Sequence, residues 1–205
     1  MKKNKISKNW LIKKHRDPFF KQSKIKGYRS RSAFKLIEMN KKFNFIKKNS
    51  LLLDLGSSPG GWSQVARKKI IKGKILAVDV KPMEKINNVD FIRGDFCDVK
   101  ICEKIELYFN NKIDVVLSDM AVNTSGNKAL DSYRTGELCI SAMNLAKKIL
   151  SENGTFLSKI FMGSIFGEIN ERAKNSFKNV VKYKPLSSKK ESKEIYIFCK
   201  GVLKI

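Results

Sequence analysis

The stretch LLLDLGSSPGGWSQVA, residues 51–66, predicts a β-strand, a glycine-rich turn and the start of a helix. Its apolar run ends at Asp54, and the glycines of the turn follow at positions 56, 60 and 61. In doubly wound α/β folds, a strand–turn–helix junction of this kind holds nucleotide-like ligands. The spacing G-x-x-x-G-G matches neither the G-x-G-x-x-G pyrophosphate cradle nor the G-x-x-x-x-G-K-[ST] triphosphate loop. The stretch therefore predicts a pocket for an adenosine-type cofactor without phosphates, for which S-adenosylmethionine is the obvious candidate.

Length and composition narrow the class of protein. A chain of 205 residues with 42% hydrophobic residues is expected to form one globular domain, over residues 31–205, preceded by a basic arm over residues 1–30. No apolar run approaches the roughly 18 to 20 residues that span a bilayer, so no membrane association is expected. Four cysteines without C-x-x-C pairing and a single histidine form no metal-binding pattern, so no metal is expected.

The cysteine usage fits a reducing, intracellular compartment. We expect a cytoplasmic monomer. The basic N-terminus, MKKNKISKNWLIKKH, leaves a mitochondrion or another organelle open as its location, because it is also compatible with a presequence.

The net charge of +24 is concentrated at the two ends of the chain. Residues 1–50 carry a net charge of +15 and residues 178–205 a net charge of +6, whereas residues 51–177 carry only +3. A lysine-rich composition caused by genomic drift would have raised the charge of the middle as well. The distribution therefore favours a polyanionic partner such as RNA, whose binding releases counterions.

Short apolar strands alternate with helix-length segments along the chain. Strands are predicted at 51–55, 75–80, 89–92, 113–118, 154–161, 178–183 and 194–199, and helices from Ser32 and near 60–71, 98–110, 133–150 and 166–176. The alternation predicts an α/β fold, in which a mostly parallel, seven-stranded sheet is covered by helices on both faces. Because no helix separates the last two strands, we expect one strand to be antiparallel.

Four aspartates lie at or just after the ends of predicted strands: Asp54, Asp79, Asp95 and Asp119. The carboxyl ends of parallel strands meet at one edge of a sheet, where ligands bind. Asp79 stands where an acid commonly binds both ribose hydroxyls, and Asp95 is placed to accept a hydrogen bond from an adenine amino group. A lone acid at a strand end is more often a helix cap or a turn former, but four in succession favour a cofactor site.

Lys159 lies within FLSKIF, the apolar segment of the fifth predicted strand. Burial of a lysine is unfavourable unless its amine is paired or neutralised. Two interpretations stay open, namely a lysine that extends its amine to water and a partly buried amine that acts as a general base. Lys35 and Glu194 cannot be distinguished by pattern from the lysine-rich sequence around them.

Six motifs together resemble the FtsJ/RrmJ-type family of ribose 2′-O-methyltransferases. They are GYRSRSAFKL (27–36), LDLGSSPGGWSQ (53–64), GDF (94–96), LSDMA (117–121), SKIFMG (158–163) and KPLSSKKESKEIYI (184–197). The resemblance implies a Rossmann-like, S-adenosylmethionine-dependent methyltransferase fold. It also implies a catalytic tetrad at Lys35, Asp119, Lys159 and Glu194, with cofactor contacts at Gly60, Trp62, Asp79, Asp95 and Asp119. With the rest of the turn and the strand ends, the expected cofactor site comprises Asp54, Gly56, Ser57, Pro59, Gly60, Gly61, Trp62, Asp79, Asp95, Phe96 and Asp119.

The same resemblance implies a substrate: a ribose, expected to be that of a uridine, in ribosomal RNA of the large subunit. Two alternatives stay open, a tRNA ribose 2′-O-methyltransferase and a non-catalytic RNA-binding assembly factor. RNA contacts are expected in the first 50 residues, at Lys13, Lys14, Lys24, Lys26, Arg29 and Arg31.

Overall fold

The computed structural model describes residues 16–122 and 125–203. Six helices lie in these ranges: α1 (Pro18–Ile25), α2 (Ala33–Phe43), α3 (Gly61–Lys69), α4 (Val99–Phe109), α5 (Lys128–Ile149) and α6 (Phe166–Lys174). The seven strands of the same ranges are β1 (Leu52–Leu55), β2 (Ile75–Asp79), β3 (Asp90–Arg93), β4 (Ile113–Ser118), β5 (Leu150–Phe161), β6 (Phe177–Tyr183) and β7 (Glu194–Val202). Within the described residues, no helix is long and apolar enough to cross a membrane.

The strands form one sheet in the order β3-β2-β1-β4-β5-β7-β6. The first five strands in chain order, β1 to β5, run parallel to one another. Strand β7 is antiparallel to both of its neighbours, β5 and β6. The predicted α/β fold with one antiparallel strand is therefore confirmed. The chain moves outward from β1 in one direction to β2 and β3 and in the other to β4, so the topological switch point, where such sheets bind ligands, lies at the carboxyl ends of β1 and β4.

Two hydrophobic cores cover the two faces of the sheet, as strands buried on both sides require. One core contains Ile105 of α4, Met143 of α5 and Ile169 of α6. The other contains Leu36 of α2 and Val65 of α3. Leu53 and Leu55 of β1 belong to the first core and Leu52 to the second, which explains why leucines lie on both faces of this strand.

Two segments differ from the sequence-based expectation. Helix α5 begins at residue 128 rather than near 133, because the Asn127 side chain caps it by accepting hydrogen bonds from the Ala129 and Leu130 amides. The described part of the basic arm is a helix, α1, which Asp17 caps and whose Phe19 ring lies 5.6 Å from the ring of Phe34. Phe19 thus packs on α2, whereas most other residues of α1 are exposed, and the basic arm over residues 1–30 stays a prediction; residues 1–15 lie outside the described ranges.

Phe156 on β5 is fully buried, and its ring stacks against that of Phe177 at 6.1 Å between centroids. Truncation leaves a cavity that the close-packed sheet and helices cannot fill. We therefore expect Phe156→Ala to lower the free energy of unfolding by about 3–5 kcal/mol, measured by urea denaturation. Leu107→Ala, on the exposed side of α4, should change it by less than about 0.5 kcal/mol. Similar losses for both variants would contradict this account of the core.

Candidate active site

The backbone of the loop between β1 and α3 packs closely against two other segments, one at Met120 and one at Arg29 and Ser30. Gly56 and Gly60 have positive φ angles of 72° and 109°, a region that side chains other than glycine rarely adopt. A Cβ atom at Gly56 would overlap Met120, and one at Gly60 would lie 2.9 Å from the Arg29 guanidinium. A Cβ atom at Gly61 would overlap the Ser30 hydroxyl. The glycines thus serve close packing as well as the turn.

Asp54 lies beneath this loop with one carboxylate oxygen satisfied and the other without a partner. Its Oδ2 accepts a hydrogen bond of 2.6 Å from the Ser63 hydroxyl, while Oδ1 is buried and unpaired. Burial raises the pKa of Asp54 to about 7, and the charges of Asp119 and Asp79 add to the rise. The Ser57 hydroxyl is a second buried polar atom without a partner. Both unpaired atoms belong to the predicted cofactor site, one at the end of β1 and one in the loop, so the residues present suit a ligand with polar groups.

The carboxylates at the end of β2 and just after β3 are held by backbone amides. Asp79 accepts hydrogen bonds from the Ser58 amide at 2.9 Å and the Lys81 amide at 2.8 Å, and Asp95 accepts one from the Cys97 amide at 2.9 Å. Each oxygen keeps a lone pair for a further donor, such as a ribose hydroxyl or an adenine amino group. Phe96, also expected in this site, is 6% exposed and packs into the core.

Trp62 was expected to contact the cofactor, but its side chain faces the protein interior. The indole is 2% exposed, donates a hydrogen bond of 2.9 Å to the Ser32 carbonyl and lies 5.8 Å from the ring of Tyr196. Pro59 remains exposed in the loop, and its carbonyl accepts a hydrogen bond from Arg29. A cofactor contact at Trp62 stays a prediction, and the buried ring connects the loop to the tetrad.

Adjacent strands bring two members of the predicted tetrad together. Register pairs Ser118 of β4 with Ser158 of β5, so the next residues, Asp119 and Lys159, meet at the end of the sheet. The Lys159 amine lies 3.2 Å from the Asp119 carboxylate and donates a hydrogen bond of 2.7 Å to the Asp119 carbonyl. The lysine side chain is 10% exposed and its amine is paired, so it does not extend into water. The role of this partly buried amine as a general base stays a prediction.

A helix and the last strand supply the other two members. Lys35, in the first turn of α2, forms an ion pair with Glu194, the first residue of β7. Glu194 also accepts a hydrogen bond of 2.8 Å from the Ser188 hydroxyl. Register places Glu194 opposite Phe161 of β5, two residues beyond Lys159. The four predicted residues thus form two partly buried ion pairs at one end of the sheet.

Tyr196 joins the two ion pairs, and the sequence analysis did not identify it. Its hydroxyl donates a hydrogen bond of 2.9 Å to Asp119, and the Lys35 amine lies 5.7 Å from its ring centroid. Tyr196 is fully buried, and burial together with the charges of Asp119 and Glu194 raises its pKa well above the ordinary value. A signal was present: Tyr196 lies two residues after Glu194, so in a strand the two side chains share a face.

The predicted RNA-binding residues have different surroundings. Arg29 donates hydrogen bonds to the carbonyls of Pro59, Glu84 and Lys85. Arg31 is paired with Asp17 at 3.0 Å and donates to the Ser187 carbonyl at 2.6 Å. Lys24 and Lys26 are exposed and lie near the rings of Phe20 and Phe34, respectively. Lys13 and Lys14 lie outside the described residues. RNA contacts at these positions stay predictions.

The fold is that of a Rossmann-like methyltransferase. The model of the FtsJ-like methyltransferase family matches residues 28–202, and the chain belongs to that family. It is 51% identical to the ribosomal RNA large subunit methyltransferase E of Pelagibacter ubique, over 98% of both chains. The Rickettsia conorii protein of the same name is 41% identical, over 96% of this chain and 89% of its own.

Solved structures agree with this assignment. A Plasmodium falciparum protein named as a ribosomal RNA methyltransferase superposes with a TM-score of 0.76 at 36% identity, covering 86% of this chain and 99% of its own. Human methyltransferase-like protein 13, solved in complex with S-adenosylhomocysteine, has a TM-score of 0.57 at 14% identity, covering 82% of this chain and 78% of its own. The second similarity supports the fold alone. Among the described residues, no cluster of metal-ligating side chains is present.

The raised pKa of Asp54 makes stability depend on pH. Between the ordinary pKa of 3.8 and about 7, the folded protein keeps a proton on Asp54 that the unfolded chain releases. The free energy of unfolding of the cofactor-free protein should therefore fall, relative to Asp54→Asn, by on the order of 1 kcal/mol per pH unit as the pH rises across this window. Urea denaturation at pH 4.5, 5.5 and 6.5 measures the difference.

Glu103→Gln, an exposed position on α4, should retain the wild-type pH profile. A constant difference between the wild type and Asp54→Asn across the window would show that the buried carboxyl is not protonated.

Proposed function

We propose that the protein transfers a methyl group from S-adenosylmethionine to the 2′-hydroxyl of a ribose, expected to be that of a uridine, in large-subunit ribosomal RNA. The observation that carries the proposal is the convergence of the Lys159–Asp119 and Lys35–Glu194 ion pairs on Tyr196, at the carboxyl end of the sheet. The printed names of the bacterial relatives support ribosomal RNA as the substrate. All four charged side chains come from one chain, which supports action as a monomer. The four free cysteines support a reducing compartment such as the cytoplasm.

The cofactor would lie along the edge formed by the β1–α3 loop and the ends of β2 and β3. Asp79 would accept hydrogen bonds from the ribose hydroxyls, and Asp95 from the adenine amino group. Asp54 and Ser57 offer their unpaired oxygens to polar groups of the ligand. When bound, S-adenosylmethionine supplies an electrophilic methyl group on a positively charged sulfur.

The chain's own residues then have to activate a weak nucleophile. A ribose hydroxyl attacks only as its proton is removed, and the Lys159 amine is the group placed to accept that proton. This role requires Lys159 to react as a neutral amine, so its own ammonium proton must pass to solvent before the ribose reacts. Asp119 fixes the amine, Tyr196 fixes Asp119, and the Lys35–Glu194 pair bounds the opposite side of the site. Alignment of the ribose hydroxyl with the methyl group supplies the rest of the rate acceleration.

Two replacements of Lys159 distinguish a role as a general base from a role as a positive charge. Lys159→Ala and Lys159→Arg should both lower the rate of methyl transfer by about 10²–10⁴-fold, because arginine keeps the charge but cannot accept a proton. Calorimetry should give nearly unchanged S-adenosylmethionine affinity for both variants. Lys178→Ala, an exposed lysine on β6, is the control and should retain wild-type turnover. An active Lys159→Arg variant would contradict the base role.

Transfer of a labelled methyl group identifies the RNA that accepts it. Incubation with methyl-labelled S-adenosylmethionine and large ribosomal subunits, free ribosomal RNA or tRNA, followed by nuclease mapping, should place the label on a ribose 2′-oxygen of large-subunit RNA. Label on tRNA would move the function to the alternative tRNA enzyme. RNA binding without any label transfer would support a non-catalytic assembly factor instead and contradict the proposal.

A further inference from the structure

Glu38 lies one turn after Lys35 on α2 and is not part of the tetrad. Both oxygens of its carboxylate accept hydrogen bonds. Its Oε1 accepts hydrogen bonds of 2.7 Å from the Tyr183 hydroxyl and 2.7 Å from the Leu186 amide. Its Oε2 accepts hydrogen bonds of 3.1 Å from both the amide and the hydroxyl of Ser187. Burial alone would raise the pKa of Glu38, but these bonds outweigh it and lower the pKa. The ionised carboxylate is therefore an anchor for the segment after β6.

That segment, residues 184–193 between β6 and β7, also contains hydrogen bonds between its own residues. The Lys184 amine donates hydrogen bonds to the carbonyls of Lys190 at 3.1 Å and Ser192 at 2.7 Å. Arg31 adds a hydrogen bond to the Ser187 carbonyl from the opposite side. We call this segment the β6–β7 loop. Besides these internal hydrogen bonds, its conformation is fixed by Glu38 of α2 and by Arg31, which precedes that helix.

The β6–β7 loop has an inner and an outer face. On the inner face Ser187 and Ser188 are buried, and the Ser188 hydroxyl donates to the catalytic-site carboxylate of Glu194. On the outer face Lys189 and Lys190 are exposed, and neither amine forms an ion pair with a carboxylate of the described chain. The residues bound by Glu38, the serine that contacts Glu194 and two exposed lysines thus lie within a few positions of one another in the loop.

We propose that the β6–β7 loop is an RNA-contacting element that couples substrate binding to the position of Glu194. Lys189 and Lys190 bind phosphates next to the target ribose, and Glu38 is a positioning residue that holds the inner face so that Ser188 orients Glu194. The inference rests on the proposed function, because it takes RNA to be the substrate.

Charge and location favour RNA over an acidic protein as the partner of the outer face. Lys189 directly follows Ser188, whose hydroxyl donates a hydrogen bond to Glu194, so a ligand of these lysines would lie near the tetrad. A ribose presented to Lys159 carries phosphates on both sides, and lysines bind phosphates as flexible point charges. Glu191 is exposed in the same loop, but the lysines of the loop exceed it in number, so the local charge stays positive.

The outer face is tested by charge reversal. The double variant Lys189→Glu/Lys190→Glu should raise the KM for RNA by about tenfold or more and reduce the dependence of log KM on log salt by about 2, with the Kd of S-adenosylmethionine unchanged. The double variant Lys104→Glu/Lys174→Glu, on α4 and α6, reverses the same charge far from the loop. If both double variants give the same KM and salt dependence, the loop does not contact RNA.

The inner face is tested by Glu38→Gln. Glutamine has one acceptor oxygen, so whichever way its amide lies, an NH₂ group faces the Leu186 amide or the Ser187 amide and hydroxyl. We expect kcat to fall by about tenfold with little change in the Kd of S-adenosylmethionine. Tyr183→Phe is the matched control: it removes one hydrogen bond of Glu38 but leaves the bonds to the loop, so its kcat should stay near that of the wild type.

A Glu38→Gln variant with wild-type kcat, or equal losses of kcat in Glu38→Gln and Tyr183→Phe, would overturn the positioning role. Failure of the proposed function is distinguishable from either result, because the wild-type protein itself would then transfer no methyl group to RNA.

Discussion

The burial of four charged side chains at one end of the sheet is the constraint on which the site depends. Partly desolvated charges are tolerated only when each is paired and hydrogen-bonded, and loss of one partner leaves a costly unpaired charge. Here the pairing is a consequence of topology. Strands β4 and β5 are neighbours, so Asp119 meets Lys159; β7 lies beside β5, so Glu194 arrives at the same edge and meets Lys35 from α2. Reordering the strands would separate the pairs.

Tyr196 makes these pairs one unit. Its hydroxyl fixes Asp119, its ring lies beneath the Lys35 amine, and the ring of Trp62 packs against it from the start of α3. The cofactor loop and the tetrad are therefore mechanically connected through two buried aromatic rings. Through these rings the β1–α3 loop is connected to Asp119 and hence to its ion-pair partner Lys159.

The sheet was predictable from sequence because its strands are short apolar runs bounded by polar residues, and all seven appear near their predicted positions. Lysines such as Lys35 carry no local signal: their role arises from a helix packing against a distant strand, and only the resemblance of whole motifs identified it. The start of α5 was missed because its first turn is polar, although Asn127 offered a capping signal. Glu38 is anchored by residues about 150 positions away, a contact that no periodicity encodes.

The two arginines of the YRSRS segment show why charge alone does not locate an RNA surface. A guanidinium is a planar fork that satisfies several carbonyls at once, and Arg29 and Arg31 use that geometry on the protein's own loops. Replacing either would release the cofactor loop or the β6–β7 loop, so lost activity in such a variant would not diagnose a lost RNA contact. Exposed lysines without protein partners are better candidates, because their ammonium groups are free to exchange counterions for phosphates. The electrostatic argument from sequence thus applies to the surface lysines, while the arginines belong to the architecture of the site.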